Sequence, residues 1–214
     1  IEETGTTIFR PPYTPVPIAA FAGRFRGKNF RPYRLTPSHQ WAEEQGAVFV
    51  ETGAWLRAQW FPNPGETNWR QSVDREVIQT RGSVGVCDVT TLGKIDIQGR
   101  EAAEFLNKVY ANGFAKLPIG KVRYGLMLRE DGIAMDDGTT AHLSENHYLM
   151  TTTTANAVNV FRHLEFCRQC LWPGMDVHLI SATEQYAQFA VAGPNSRKLL
   201  RKIVDPEFEI SNDV

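Results

Sequence analysis

The chain has 214 residues, with 23 Lys and Arg against 24 Asp and Glu, so its formal charge of −1 supplies no field that would draw nucleic acid or an acidic membrane surface. Apolar residues at 42% and charged residues at 22% rule out a wholly disordered chain, and this length predicts one or two domains with a core that needs no disulfides. No apolar run approaches the ~18 residues of a membrane span and Ile1-Glu2-Glu3-Thr4 lacks the basic start of a signal peptide, so a cytoplasmic protein with reduced thiols and no membrane partner is expected.

Residues 1–38 read as an extended connector from an upstream domain. Pro11, Pro12, Pro15, Pro17, Pro32 and Pro37 resist both helix and central strand, because proline fixes φ and lacks a donor. The interleaved Phe9, Tyr13, Phe21, Phe25, Phe30 and Tyr33 predict that a neighbouring surface covers this segment. Arg24, Arg26, Lys28, Arg31 and Arg34 alternate with those aromatics, a pattern that can hold single-stranded nucleic acid. The prolines and the near-zero net charge favour docking on a neighbouring domain instead, so no nucleic acid is expected. The chain begins without Met and reads as a piece of something longer.

Residues 39–214 read as compact. Ser38 is placed to cap a helix through Gln45, and a second helix is predicted from Asn68 to Thr80, before Gly82. Val84–Asp88 and Lys94–Gln98 are strand-like, and Arg100–Ala111 carries Ala102, Phe105, Leu106 and Val109 at helical spacing. Val122–Leu128 and Ile133–Asp136 flank Arg129-Glu130-Asp131-Gly132, a hairpin signal. Thr139–Leu143 and Tyr148–Thr153 flank a second polar turn. A helix then runs from Ala155 to Arg168 and ends before Trp172-Pro173-Gly174. Val177–Ser181 and Gln185–Ala192 are further strands, and Gly193-Pro194 introduces a helix over Asn195–Ile203. This order defines an α+β fold with antiparallel sheets and helices packed on one face.

Two clusters could carry chemistry. Asp136 and Asp137 are neighbours on a predicted strand, so their side chains point to opposite faces and only one can enter a given site. A carboxylate in a partly apolar cleft can orient an amine or accept its proton, whereas the plain alternative is a pair that caps a turn into Gly138. His163, Cys167 and Cys170 stand at i, i+4 and i+7, a set that suits zinc. The apolar stripe through Val160 and Leu164 and the lack of a fourth ligand nearby argue for thiols that are buried, reduced and free of metal. His39, His142, His147 and His178 have no Ser or Cys partner that sequence can place, so no nucleophilic triad is expected.

Gly85-Val-Cys-Asp-Val-Thr-Thr-Leu-Gly-Lys-Ile-Asp-Ile-Gln-Gly99, Glu101-Ala-Ala-Glu-Phe-Leu-Asn107, the Tyr124–Asp137 stretch and Val191-Ala-Gly-Pro194 together resemble the glycine-cleavage T-protein, or aminomethyltransferase, family, in that family's order. Thr6-Thr-Ile-Phe-Arg-Pro-Pro-Tyr-Thr-Pro15, Phe30-Arg-Pro32 and Arg34-Leu-Thr-Pro-Ser-His39 are similar to the connector ahead of this domain in alpha subunits of heterotetrameric sarcosine oxidases. The likeness implies a T-protein folate-binding fold over residues 39–214 and oxidation of sarcosine on a flavin-bearing beta subunit, with smaller subunits in the complex. Tetrahydrofolate would capture the one-carbon unit as 5,10-methylenetetrahydrofolate, glycine would leave, and the reduced flavin would yield hydrogen peroxide. FAD, FMN and NAD would lie elsewhere in that complex.

By the same likeness Asp137 is the catalytic residue, orienting a folate nitrogen, and Tyr124 lines the folate pocket. Two departures stand out. Ala141 replaces a tyrosine common in the family, and Thr151–Thr154 replaces an asparagine turn, so Thr152 or Thr153 would supply a hydroxyl in place of an amide. The family's pterin-binding carboxylate and a downstream arginine are expected beyond Val214, so the domain reads as truncated at its C-terminal side. The alternatives are a stand-alone aminomethyltransferase, which needs a lipoyl carrier and no flavin, and a non-catalytic scaffold of the same fold.

Overall fold

The computed structural model describes residues 33–208 and 210; the connector and its basic-aromatic cluster lie almost wholly outside them. Arg34–Leu35 forms a two-residue strand, β1, followed by helix α1 (His39–Glu44). Ser38 occupies the N-cap position, but its hydroxyl donates to the Asp88 carboxylate instead of receiving a helix N–H. An ionised acceptor makes the stronger bond.

Residues 46–67, to which the sequence reading assigns no element, contain a hairpin of β2 (Val48–Thr52) and β3 (Trp55–Trp60). The turn uses Gly53 at φ 59°, a left-handed conformation open to glycine at little cost. Val48-Phe-Val50 breaks the alternation in β2, whereas Leu56-Arg-Ala-Gln-Trp60 of β3 carries it over only five residues. Helix α2 (Trp69–Gly82) begins at Asn68, whose side chain accepts the N–H groups of Arg70 and Gln71 as a proper cap.

The rest follows as β4 (Gly85–Asp88), β5 (Gly93–Gln98), α3 (Ala102–Val109), β6 (Val122–Leu128), β7 (Ala134–Ser144), β8 (His147–Thr152), α4 (Ala157–Phe166), β9 (His178–Ser181), β10 (Phe189–Ala192) and α5 (Ser196–Ile203). Strands β6-β7-β8-β5-β9 form a five-stranded sheet, and β10 pairs β4 in a separate ribbon. Every pairing named here is antiparallel.

One face of the large sheet holds the core. Ile95, Ile97, Met127, Tyr148 and Met150 pack against Phe105 and Leu106 of α3 and Val160 and Leu164 of α4. Ile97 and Phe105 are fully buried, each worth ~1.5–3 kcal/mol relative to exposure. The other face carries Tyr124, Leu126 and Ile180, all exposed. The α+β class and the one-sided helix layer expected from the sequence are what this architecture shows.

Three local expectations are corrected. Ile133–Asp136 and Thr139–Leu143 belong to a single strand, β7, because Gly138 pairs with Gly125 and continues the ladder rather than ending it. The strand placed over Gln185–Ala192 shortens to Phe189–Ala192, the stretch that pairs with β4. Helix α4 passes into a π-helical turn at Cys167–Leu171, which widens the winding and takes Cys170 off the inward face. Cys167 is therefore buried and Cys170 is exposed.

Candidate functional site

The β6–β7 hairpin sets the site. Its register puts Leu126 opposite Asp137 and Tyr124 opposite Thr139, so these four side chains share one face. Val122 and Ala141 pair next along the same row. The neighbouring residues point the other way: Met127 and Asp136 face each other under the sheet, and Asp136 is only 8% exposed. The adjacent carboxylates thus divide as strand geometry requires, one inward and one outward.

Gly125 makes this close packing under the hairpin feasible. A Cβ there would lie 2.8 Å from the Tyr110 ring, which with Phe114 fills the space beneath. Burial pushes the Tyr110 hydroxyl far above its usual pKa, so it stays neutral beside the strand. On the open face, Tyr124 is 61% exposed and Leu126 39% exposed, with Asp137 half-buried between sheet and solvent. This is a carboxylate set on an apolar and aromatic shelf.

Asp136 is held by Thr153. Its Oδ1 accepts the Thr153 hydroxyl at 2.6 Å and its Oδ2 accepts the Thr153 backbone N–H at 3.1 Å. Thr153 itself is exposed, so its hydroxyl bridges the surface and the buried acid. Thr152 lies elsewhere: it is 1% exposed, and its hydroxyl donates to the Thr153 carbonyl at 3.0 Å. The structure brings Tyr124 and Asp137 onto one face, and it places neither Thr152 nor Thr153 in hydrogen bond with Asp137.

Leu126 shares the open face of Tyr124 and Asp137, and sequence reasoning missed it. Tyr124-Gly-Leu-Met-Leu128 is apolar at nearly every position, so no alternation separates the outward leucine from the inward methionine. The missing signal was the register of the hairpin. Around Cys167, the sulfur stands 3.6 Å from His163 Nε2, and burial raises the thiol pKa while lowering that of the imidazole. Both groups are therefore held neutral, the opposite of an activated thiolate pair. Among the described residues no cluster of three His, Cys, Asp or Glu side chains could hold a metal ion, and no helix is long and apolar enough to cross a membrane.

The fold is that of an aminomethyltransferase-like domain. Residues 38–213 match the family described as the GCVT N-terminal domain, and the chain belongs to that family. It is 60% identical over 205 residues to the sarcosine oxidase subunit alpha of Rhizobium meliloti, a match covering 96% of this chain and 21% of that relative. The aminomethyltransferase of Staphylococcus epidermidis is 29% identical over 172 residues, 80% of this chain and 44% of that protein. Among solved structures, the glycine cleavage system aminomethyltransferase T from Bartonella henselae superposes with a TM-score of 0.69 at 24% identity, covering 80% of this chain and 44% of that one. This last likeness establishes the fold. The chain spans about a fifth of the length of the alpha subunit it matches.

The residues present suit a folate. A flat ring system with N–H groups needs an apolar or aromatic surface to lie on and a carboxylate to receive a hydrogen bond, and Tyr124, Leu126 and Asp137 offer these side by side.

Proposed function

We propose that the chain is the folate-binding, one-carbon-transfer part of a sarcosine oxidase alpha subunit. The whole enzyme, working with a flavin-bearing beta subunit and smaller subunits in the cytoplasm, would oxidise sarcosine to glycine with release of hydrogen peroxide. FAD, FMN and NAD belong to other parts of that complex. The observation that carries the reading is the shared open face of Tyr124, Leu126 and Asp137 in a chain of this family. The extent of the likeness favours sarcosine oxidase over a stand-alone aminomethyltransferase. A 205-residue match must enter the proline-rich connector, whereas the family domain occupies residues 38–213.

Tetrahydrofolate supplies the nitrogens that accept the one-carbon unit, giving 5,10-methylenetetrahydrofolate. The Asp137 carboxylate receives a hydrogen bond from an N–H of the ligand and fixes that nitrogen's lone pair toward the incoming carbon. It can also take the proton that the nitrogen loses on bond formation. Tyr124 and Leu126 give the ring system a surface and exclude water from one side of it. Ala141 lies on the same face, opposite Val122, and is smaller than the tyrosine common in the family.

Calorimetric titration of a reduced folate into the assembled enzyme tests the binding surface. Tyr124→Ala should weaken affinity roughly 2- to 12-fold, the scale of one aromatic contact. Unchanged affinity would remove Tyr124 from the site. A flavin spectrum in the purified complex, with no requirement for a lipoyl carrier, separates this reading from a stand-alone aminomethyltransferase.

A further inference from the structure

The ladder between β7 and β8 covers only half of β7. Its partners run from Thr140 with Met150 to Ser144 with His147. Upstream, where Asp137 stands, side chains replace the backbone ladder. The Thr151 hydroxyl receives the Thr139 N–H at 2.9 Å and donates to the Thr139 carbonyl at 3.1 Å. Asp136 takes both donors of Thr153, and the Asn156 amide donates to the Met135 carbonyl at 2.7 Å. Gly138 sits in the gap, where a Cβ would come within 2.1 Å of the Thr151 carbonyl.

Asp137 is thus bracketed. On its β8 side it is held through clasps at residues 135, 136 and 139. The clasp at Asp136 is the adjacent one, and it binds a buried carboxylate by two bonds of opposite origin, one from backbone and one from side chain. A strand segment laddered to β6 alone resists twisting less than one laddered on both edges, and a twist at Asp136 turns the next side chain directly.

We infer that Asp136 and Thr153 are a positioning pair, fixing the direction of the Asp137 carboxylate on the open face. This rests on the assignment of Asp137 to one-carbon transfer. Thr153 then acts through the buried acid, and its hydroxyl is not a folate contact. The buried acid has its own task, since a carboxylate placed under a sheet without donors would be costly, and Thr153 supplies both.

Thr153→Val, Thr153→Ser and Asp137→Asn, singly and with Thr153→Val combined with Asp137→Asn, test this in the assembled enzyme. The readouts are kcat and KM for reduced folate in methylenetetrahydrofolate formation. Thr153→Val should lower kcat ~10- to 100-fold, the scale of a reacting group displaced by about an ångström, with KM for folate unchanged within about twofold. Thr153→Ser keeps the hydroxyl and should restore most of kcat. In the Asp137→Asn background, Thr153→Val should cost little more, because the group it positions is already gone.

A rise in KM at unchanged kcat would make Thr153 a direct contact and overturn the inference. So would equal losses from Thr153→Val with and without Asp137, which mark a general structural role. If Asp137→Asn itself leaves transfer intact, the assignment of Asp137 has failed, and the positioning pair falls with it by a separate result.

Discussion

Lys94 shows how far a single side chain can depart from its usual place. It is 2% exposed, and its ammonium donates to the carbonyls of Thr90 at 2.6 Å and Leu92 at 2.9 Å. Burial lowers its pKa, with the Asp88 carboxylate opposing that shift. Lys94→Ala would leave two carbonyls without this donor and a cavity, so the domain should lose roughly 2–4 kcal/mol in denaturant unfolding. A loss below half a kcal/mol would show that water replaces the ammonium freely. The three cysteines give a second test at this scale. Cys87 and Cys170 are exposed while Cys167 is buried, so a soluble thiol reagent should modify two residues quickly and Cys167 only on unfolding. Rapid modification of Cys167 would contradict the core described above.

At the scale of elements, side-chain clasps do what ladders and caps leave undone. The segment between β3 and α2 is closed by Glu66, which accepts the Arg75 guanidinium at 2.6 Å, the Ser72 hydroxyl at 2.6 Å and the Asn63 N–H at 2.8 Å. The Arg75 hydrogen bond, then those from Ser72 and Asn63, lowers the Glu66 pKa from 4.5 to about 2. A carboxyl whose folded pKa is depressed adds stability above its unfolded pKa and loses it as protons bind. This contribution should be complete above pH ~4.5 and vanish as pH falls toward about 2. Glu66→Gln should flatten that part of the stability profile, measured by denaturant midpoints from pH 2 to 6; an unchanged slope would show that the clasp does not persist in solution.

Legibility differed by element for physical reasons. Helix α3 could be read because Ala102, Phe105, Leu106 and Val109 form one buried stripe. The β2–β3 hairpin was harder to read, since Val48-Phe-Val50 is apolar without alternation, β3 alternates only over Leu56–Trp60, and the turn rests on a single positive-φ glycine. In the site, strand alternation alone divided Asp136 from Asp137. Which of the two faces outward needed the register with Met127 and Leu126, and the bonds from Thr153 to Asp136 needed the placement of the residue after β8 beside β7.

Among the described residues, burial is concentrated between the five-stranded sheet and helices α3 and α4. The β4–β10 ribbon and α5 lie outside that cluster, and α5 has no buried residue. Among the described elements, hydrogen exchange should therefore be slowest in β5 and β8 and fastest in α5. Protection in α5 equal to that in β5 would contradict this distribution of stability.

The proposed function assigns one-carbon transfer and oxidation to different sites, with Asp137 serving only the first. The direct measurement is the partition of product in the assembled enzyme carrying Asp137→Asn, with sarcosine consumption, peroxide and methylenetetrahydrofolate followed together. The account predicts that sarcosine consumption and peroxide stay near the wild-type rate while methylenetetrahydrofolate falls at least ~100-fold, the scale of losing an orienting or acid–base group. Equal loss of peroxide and methylenetetrahydrofolate, or full retention of both, would contradict it.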